Sequence, residues 1–203
     1  GIMQYAALVP CAMASLIAHQ VALMVGAGSE RFDIINIPAL NLKTAALTVL
    51  LGFLCAGVSI LFCTVLHRTE HWYKEIIPNE WVRIVAGALL VIVMAKFLNT
   101  TDYLGTGMNV VERALNGETE AAAFLLKIVF TAVTLGCGFR GGEIVPTLFV
   151  GATFGCLFGQ LTGLSPSMAA ACGMAAVFCG VTNCPISSMF LSFELFGFDF
   201  MPF

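Results

Sequence analysis

Long apolar runs, broken by short polar or glycine-rich stretches, set the frame of this chain. A helix needs about 20 residues, at ~1.5 Å each, to cross a hydrocarbon layer of ~30 Å. Residues 3–25 form the first run of that length. Pro10 lies inside it, which membrane helices tolerate when neighbours satisfy the freed carbonyl. A polar stretch, 26–33, leads to a short apolar piece, 34–40, interrupted by Pro38. Residues 42–74 predict the longest helix, with His67, Arg68, Glu70, His71 and Lys74 in its last turns, where it emerges into water. Trp72 and Tyr73 stand at that exit, a position that amphipathic rings favour. Pro78 and Asn79 mark a turn, with Asn79 as N-cap of a helix over 80–98. Trp81 and Arg83 fall at its interfacial start.

The second half of the pattern is less regular. Residues 99–117 are polar and punctuated by glycine, and the apolar segment 110–115 within them is too brief to span. Residues 121–137 predict a span that carries one internal charge, Lys127. After the turn 138–142, an apolar run covers 144–161. Ser165-Pro166-Ser167 starts a helix to 178, and 186–196 is about half a bilayer long. Full spans alternating with half-length, Gly- or Pro-interrupted helices belong to ion transporters whose helix ends meet near the membrane midplane. The expected fold class is therefore an all-α membrane protein built partly from broken helices. Gly52 with Gly57, the series Gly151, Gly155 and Gly159, and the run from Ala169 to Ala176 read as smooth faces for helix packing.

Composition supplies the solvent. Apolar residues make up 59 % and charged residues 10 %, against roughly 25 % charge in soluble domains, so lipid surrounds most of the chain. A net charge of −3 without a basic patch argues against nucleic acid as a partner. The eight cysteines stand singly, with no CxxC, and the three histidines keep no zinc-ligand spacing beside them. They read as small buried hydrophobes, and neither a metal nor a cofactor is expected. His67 and His71 sit at a helix end and not beside an intramembrane nucleophile, so an enzyme is not expected either. Gly1-Ile2-Met3 opens without the basic stretch of a secretory signal. Residues 196–203 read as the approach to another helix, and both ends look cut, as in a fragment of a longer protein.

Chemistry concentrates between Gly136 and Gly155. Gly136, Gly138, Gly141 and Gly142 allow a tight turn and close backbone approach. Pro146 falls near the helix start, where its missing N–H costs nothing. The amides around Glu143, Ile144 and Val145 then become unpaired donors at the positive end of a helix dipole, a setting that binds anions. Backbone donors hold more weakly than a cation would and suit an ion that must leave. An ordinary loop-to-helix junction at the membrane surface is the alternative.

This stretch resembles the GxFxP region of the CLC family of anion channels and proton-coupled antiporters. In that family a Gly-Gly-x-Phe-x-Pro segment opens a helix whose amides hold the central anion. Here it reads Gly141-Gly142-Glu143-Ile144-Val145-Pro146, followed by the Gly- and Ala-containing run to Gly155. Residues 18–23 are similar to the end of the family's first-half dimer helix, and 106–109 to a glycine-rich entry to a short helix. Residues 173–186 with Phe193-Glu194-Leu195 resemble paired short helices ending in a glutamate. The resemblance implies an inverted-repeat helical bundle within one transmembrane domain. Residues from about 1 to 40 would end the first repeat, and about 41–203 would form most of the second. It also implies that the first-half serine loop, the GxEGP segment with its gating glutamate, the intracellular proton glutamate and the last helix with its tyrosine lie outside this chain.

Two positions depart from the family pattern. Ile144 stands where phenylalanine is usual, and the residue before it is acidic, Glu143. Gly-Gly-Glu-hydrophobic-x-Pro is similar to the fluoride/proton antiporter branch. An ionised side chain at membrane depth costs roughly 2.5–3.5 kcal/mol on insertion scales, so Glu143 is expected to act as a proton-coupling group beside an anion held at Gly141, Gly142, Glu143, Ile144, Val145 and Pro146. A structural pairing with Arg140 is the alternative for Glu143. Lys127 and Lys96 read as snorkelling side chains, Glu194 as structural, and His19 with Gln20 as closing their helix. The implied partners are a small inorganic anion (fluoride or chloride), protons, the lipid bilayer and a second copy in a homodimer. A multi-pass position in a bacterial plasma membrane follows. Rival readings are a chloride/proton antiporter, a passive voltage-gated-type chloride channel and a non-transporting membrane scaffold.

Overall fold

The structure is a computed structural model, and it describes residues 8–26, 32 and 41–197. Among these residues it contains eight helices and no strand, the all-α class expected. The chain divides into two compact units, Gly1–Arg31 and Phe32–Phe203. The first holds α1 (Leu8–Met24), apolar over most of its length. His19 and Gln20 do not close it: the helix runs on to Met24. Its expected start at residue 3 and the short piece 34–40 lie outside the described residues.

The second unit holds α2 (Leu42–Ile76), α3 (Glu80–Leu98), α4 (Met108–Leu115), α5 (Ala123–Gly136), α6 (Ile144–Thr162), α7 (Pro166–Thr182) and α8 (Pro185–Phe196). Punctuation explains most of these boundaries. The Asn79 side chain accepts the Trp81 amide and so caps α3. Asn99 and Asn183 end α3 and α7 in the left-handed conformation, with φ of 48° and 54°, which short polar side chains tolerate better than most. Because Asn183 is the stop, α7 continues four residues past the expected end at 178. Residues 121–137 were expected to span, yet α5 has only 14 residues, about 21 Å of helix. Among the described residues, the helices long and apolar enough to cross a membrane are α2, α3 and α6.

The core of this unit gathers on α6 and α7, with α2, α4 and α5 packed around them. Phe62, Phe149, Val150, Met168, Met174 and Val177 are buried there. The α6–α7 seam depends on missing side chains. A Cβ on Gly155 would stand 2.1 Å from the Ala169 carbonyl oxygen, and one on Gly151 would stand 2.4 Å from that of Gly173. Gly52 and Gly57 behave otherwise: both are exposed, with nothing near a Cβ, so they are not a packing face among the described residues. Of the cysteines, Cys55, Cys137, Cys156 and Cys172 are buried, Cys63, Cys179 and Cys184 partly so, and Cys11 is exposed.

Candidate functional site

The head of α6 is positioned by the turn that precedes it. Cys137 ends α5, and its carbonyl accepts the Arg83 Nε–H at 3.2 Å. Arg83 is therefore not an interfacial side chain: it is 8 % exposed and places a cation at the negative end of α5. Gly136 lies against Thr69 of α2, where a Cβ would meet the Thr69 methyl at 2.9 Å. Gly138 takes φ of +105°, a conformation that only glycine adopts at low cost. Gly141 and Gly142 have no positive φ, so the conformational demand of the turn falls on Gly138.

Beyond that turn the backbone donors are left open. No backbone or side-chain acceptor among the described residues takes the amides of Gly141, Gly142, Glu143, Ile144 or Val145. The first amide of α6 with a partner is that of Thr147, which donates to the Glu143 carbonyl at 3.1 Å. Pro146 contributes no donor. Glu143 occupies the N-cap position but sits in helical geometry, φ −87° and ψ −15°, and its carboxylate makes no capping bond. An acid at an N-cap usually claims one of these amides; here it does not. A 19-residue helix thus presents its positive end with free donors and no basic side chain among them.

A cavity of about 440 Å³ opens beside this helix head. Gly141, Gly142, Val145 and Pro146 form one wall, and Gly105, Thr106 and Lys127 belong to the other. Lys127 does not snorkel. It is 2 % exposed, and its ammonium donates to the carbonyls of Gly105 at 2.8 Å and Tyr103 at 3.2 Å. The same group lies 4.8 Å from the centre of the Phe149 ring, within cation–π range. The Tyr103 ring packs on Phe130 and Phe149, and its hydroxyl donates to the Glu120 carboxylate at 2.9 Å. Burial, and then the Glu120 carboxylate, push the phenol up to about 12, so it stays a neutral donor. Lys127 and Tyr103 together fix the turn that leads into α4.

Of the six positions expected to hold an anion, four line the cavity, while Glu143 and Ile144 are exposed on the helix head outside its lining. Glu143 forms no ion pair with Arg140; the ion pairs among the described residues are His71–Glu75, Lys74–Glu70 and Arg113–Asp102. Lys96 and Glu194 are exposed. Sequence reasoning missed the burial of Lys127 and of Arg83, because their carbonyl partners lie 22 and 54 residues away. The one available signal was the charge itself in an apolar run, since intramembrane charges generally face a cavity or a partner.

Known proteins resemble the chain over its whole length. The family model described as voltage gated chloride channel matches residues 2–203. A protein of Pseudomonas syringae pv. tomato named chloride/fluoride channel protein is 31 % identical over 208 residues, covering 100 % of this chain and 46 % of that one. The H(+)/Cl(-) exchange transporter ClcA of Vibrio cholerae is 26 % identical over 197 residues, covering 89 % of this chain and 42 % of that protein. Among solved structures, a CLC-type fluoride/proton antiporter superposes with a TM-score of 0.91 at 28 % identity, covering 100 % of this chain and 51 % of that chain. The chain thus spans about half the length of the relatives it matches.

Proposed function

The chain belongs to the voltage gated chloride channel family, the CLC proteins, and on that premise we propose that it carries the anion-holding part of a proton-coupled fluoride exporter. The family, together with three helices long and apolar enough to cross a membrane, supports a membrane protein of anion transport. The finer reading rests on one observation: the unclaimed amides from Gly141 to Val145 stand at the head of a long helix, with a free carboxylate, Glu143, among them. Amides desolvate a small anion without binding it too tightly to release. A carboxylate at the same place can take up and hand on a proton as the anion passes. The fluoride/proton antiporter neighbour and the chloride/fluoride channel relative support fluoride as the substrate. We read residues from about 1 to 40 as the end of a first repeat and about 41–203 as most of a second. A homodimer in a bacterial plasma membrane completes the reading.

The test is ion flux from liposomes that hold the full-length protein, loaded with fluoride or chloride, with proton movement recorded together. Fluoride efflux that drives protons uphill, with chloride slower, is the expected result. Fast chloride efflux without proton movement makes the protein a passive channel, the reading that the first relative's name also allows. Glu143→Gln is expected to keep anion flux and lose the coupled proton; an unchanged proton-to-fluoride ratio removes Glu143 from the mechanism.

A further inference from the structure

The cavity beside α6 contains a donor that no protein atom uses. Thr131 is 7 % exposed, stands on α5 one turn after Lys127, and lines the cavity. A hydroxyl inside an apolar helix commonly bonds the carbonyl three or four residues back. Thr134, Thr153, Thr162 and Thr182 all do so, at 2.7–2.8 Å. Thr131 makes neither that bond nor any other among the described residues. No fully enclosed side-chain nitrogen or oxygen lacks a partner among these residues, so its hydroxyl opens onto the cavity.

Lys127 makes that open hydroxyl significant. Its ammonium is occupied by two carbonyls and an aromatic ring, but no acid neutralises it among the described residues. The positive charge therefore acts on the cavity as a field. Around that field stand the Thr131 hydroxyl and the unclaimed amides of Gly141 and Gly142, with Val91, Leu104 and Leu135 as apolar wall. One buried charge, a few neutral donors and an apolar wall suit a small monovalent anion and disfavour a heavily hydrated multivalent one. We propose that the halide held at the helix head reaches into this cavity, where the Thr131 hydroxyl donates a hydrogen bond to it and thereby sets affinity. This role rests on the transport reading above and extends it, since it adds a side-chain donor to the backbone donors of the helix head.

The experiment measures fluoride and chloride efflux against anion concentration for the full-length protein in liposomes, beside Thr131→Val and Thr131→Ser. Valine keeps the shape and removes the donor; serine keeps the donor. Loss of one hydrogen bond to an ion is expected to raise the half-saturating concentration roughly 10-fold in the valine variant, with maximal rate unchanged and serine close to wild type. Should valine give a protein that is not monodisperse, Thr131→Ala replaces it. A donor-less variant with wild-type concentration dependence overturns the site while leaving the transport reading intact. Serine behaving as valine does overturns it too, because shape would then be what matters. A wild-type protein that moves no halide rejects the transport reading and this site with it.

Discussion

Gly141 and Gly142 at the head of α6, and Gly151, Gly155 and Gly159 along its shaft, are the same residue in opposite surroundings. On the shaft, glycine lets backbone meet backbone: every Cβ added there would come within 2.1–2.7 Å of α7. At the head, a Cβ on Gly142 would meet nothing within 4 Å, and one on Gly141 would meet only the tip of Leu135, at 3.0 Å. The shaft glycines remove volume so that two helices close. The head glycines leave volume, so that amides remain within reach of something small. Glycine content along the run is uniform enough to hide this difference; what separates the two groups is whether α7 stands opposite.

Substitutions should break the two groups differently. Gly155→Val drives a branched side chain into the Ala169 backbone, which cannot yield as a flexible side chain would. The expected cost is about 3 kcal/mol or more, read as loss of the monodisperse peak and a lower unfolding temperature in detergent. Arg83→Met is intermediate. It removes the donor to the Cys137 carbonyl and should cost about 1–3 kcal/mol, with weaker anion binding because the turn into α6 loses its anchor. Gly142→Ala should leave stability within about 0.5 kcal/mol, since its φ is not positive and space is open. Its measurable effect should be a modest loss of halide affinity by calorimetry. A Gly142→Ala protein that unfolds like Gly155→Val would erase the distinction.

Much of the helical plan could be read in the chain because its stops are local. Asn79, Asn99, Pro166 and Pro185 act on their own neighbours, and α3 and α8 fall within a residue of their expected bounds. What depended on distant partners was not legible. Lys127 and Arg83 look like any long cation near a membrane surface until the carbonyls of Gly105 and Cys137 are placed beside them. Likewise, nothing in the sequence distinguishes Thr131 from Thr134. Thr134 returns its hydroxyl to the Phe130 carbonyl and Thr131 leaves its own open, although both line the same cavity. The shortfall of α5 arose because 121–137 is apolar enough to continue, whereas its helix forms only from Ala123 to Gly136. Glu143 was singled out by its charge, and the structure adds that neither Arg140 nor the α6 amides claim it.

The α6–α7 seam also has a mechanical side. Gly151 and Gly173 lie reciprocally against one another's carbonyls, at 2.4 and 2.3 Å from the Cβ positions, and the same closure repeats at Gly155 and Gly159. Two rods interlocked over about two turns resist bending and sliding, because close-packed interiors transmit strain instead of absorbing it. A push delivered anywhere along α7 therefore reaches the head of α6 as a displacement of the whole beam. The open amides sit at the end of that beam, just past the turn at Gly138, as a claw on a stiff arm.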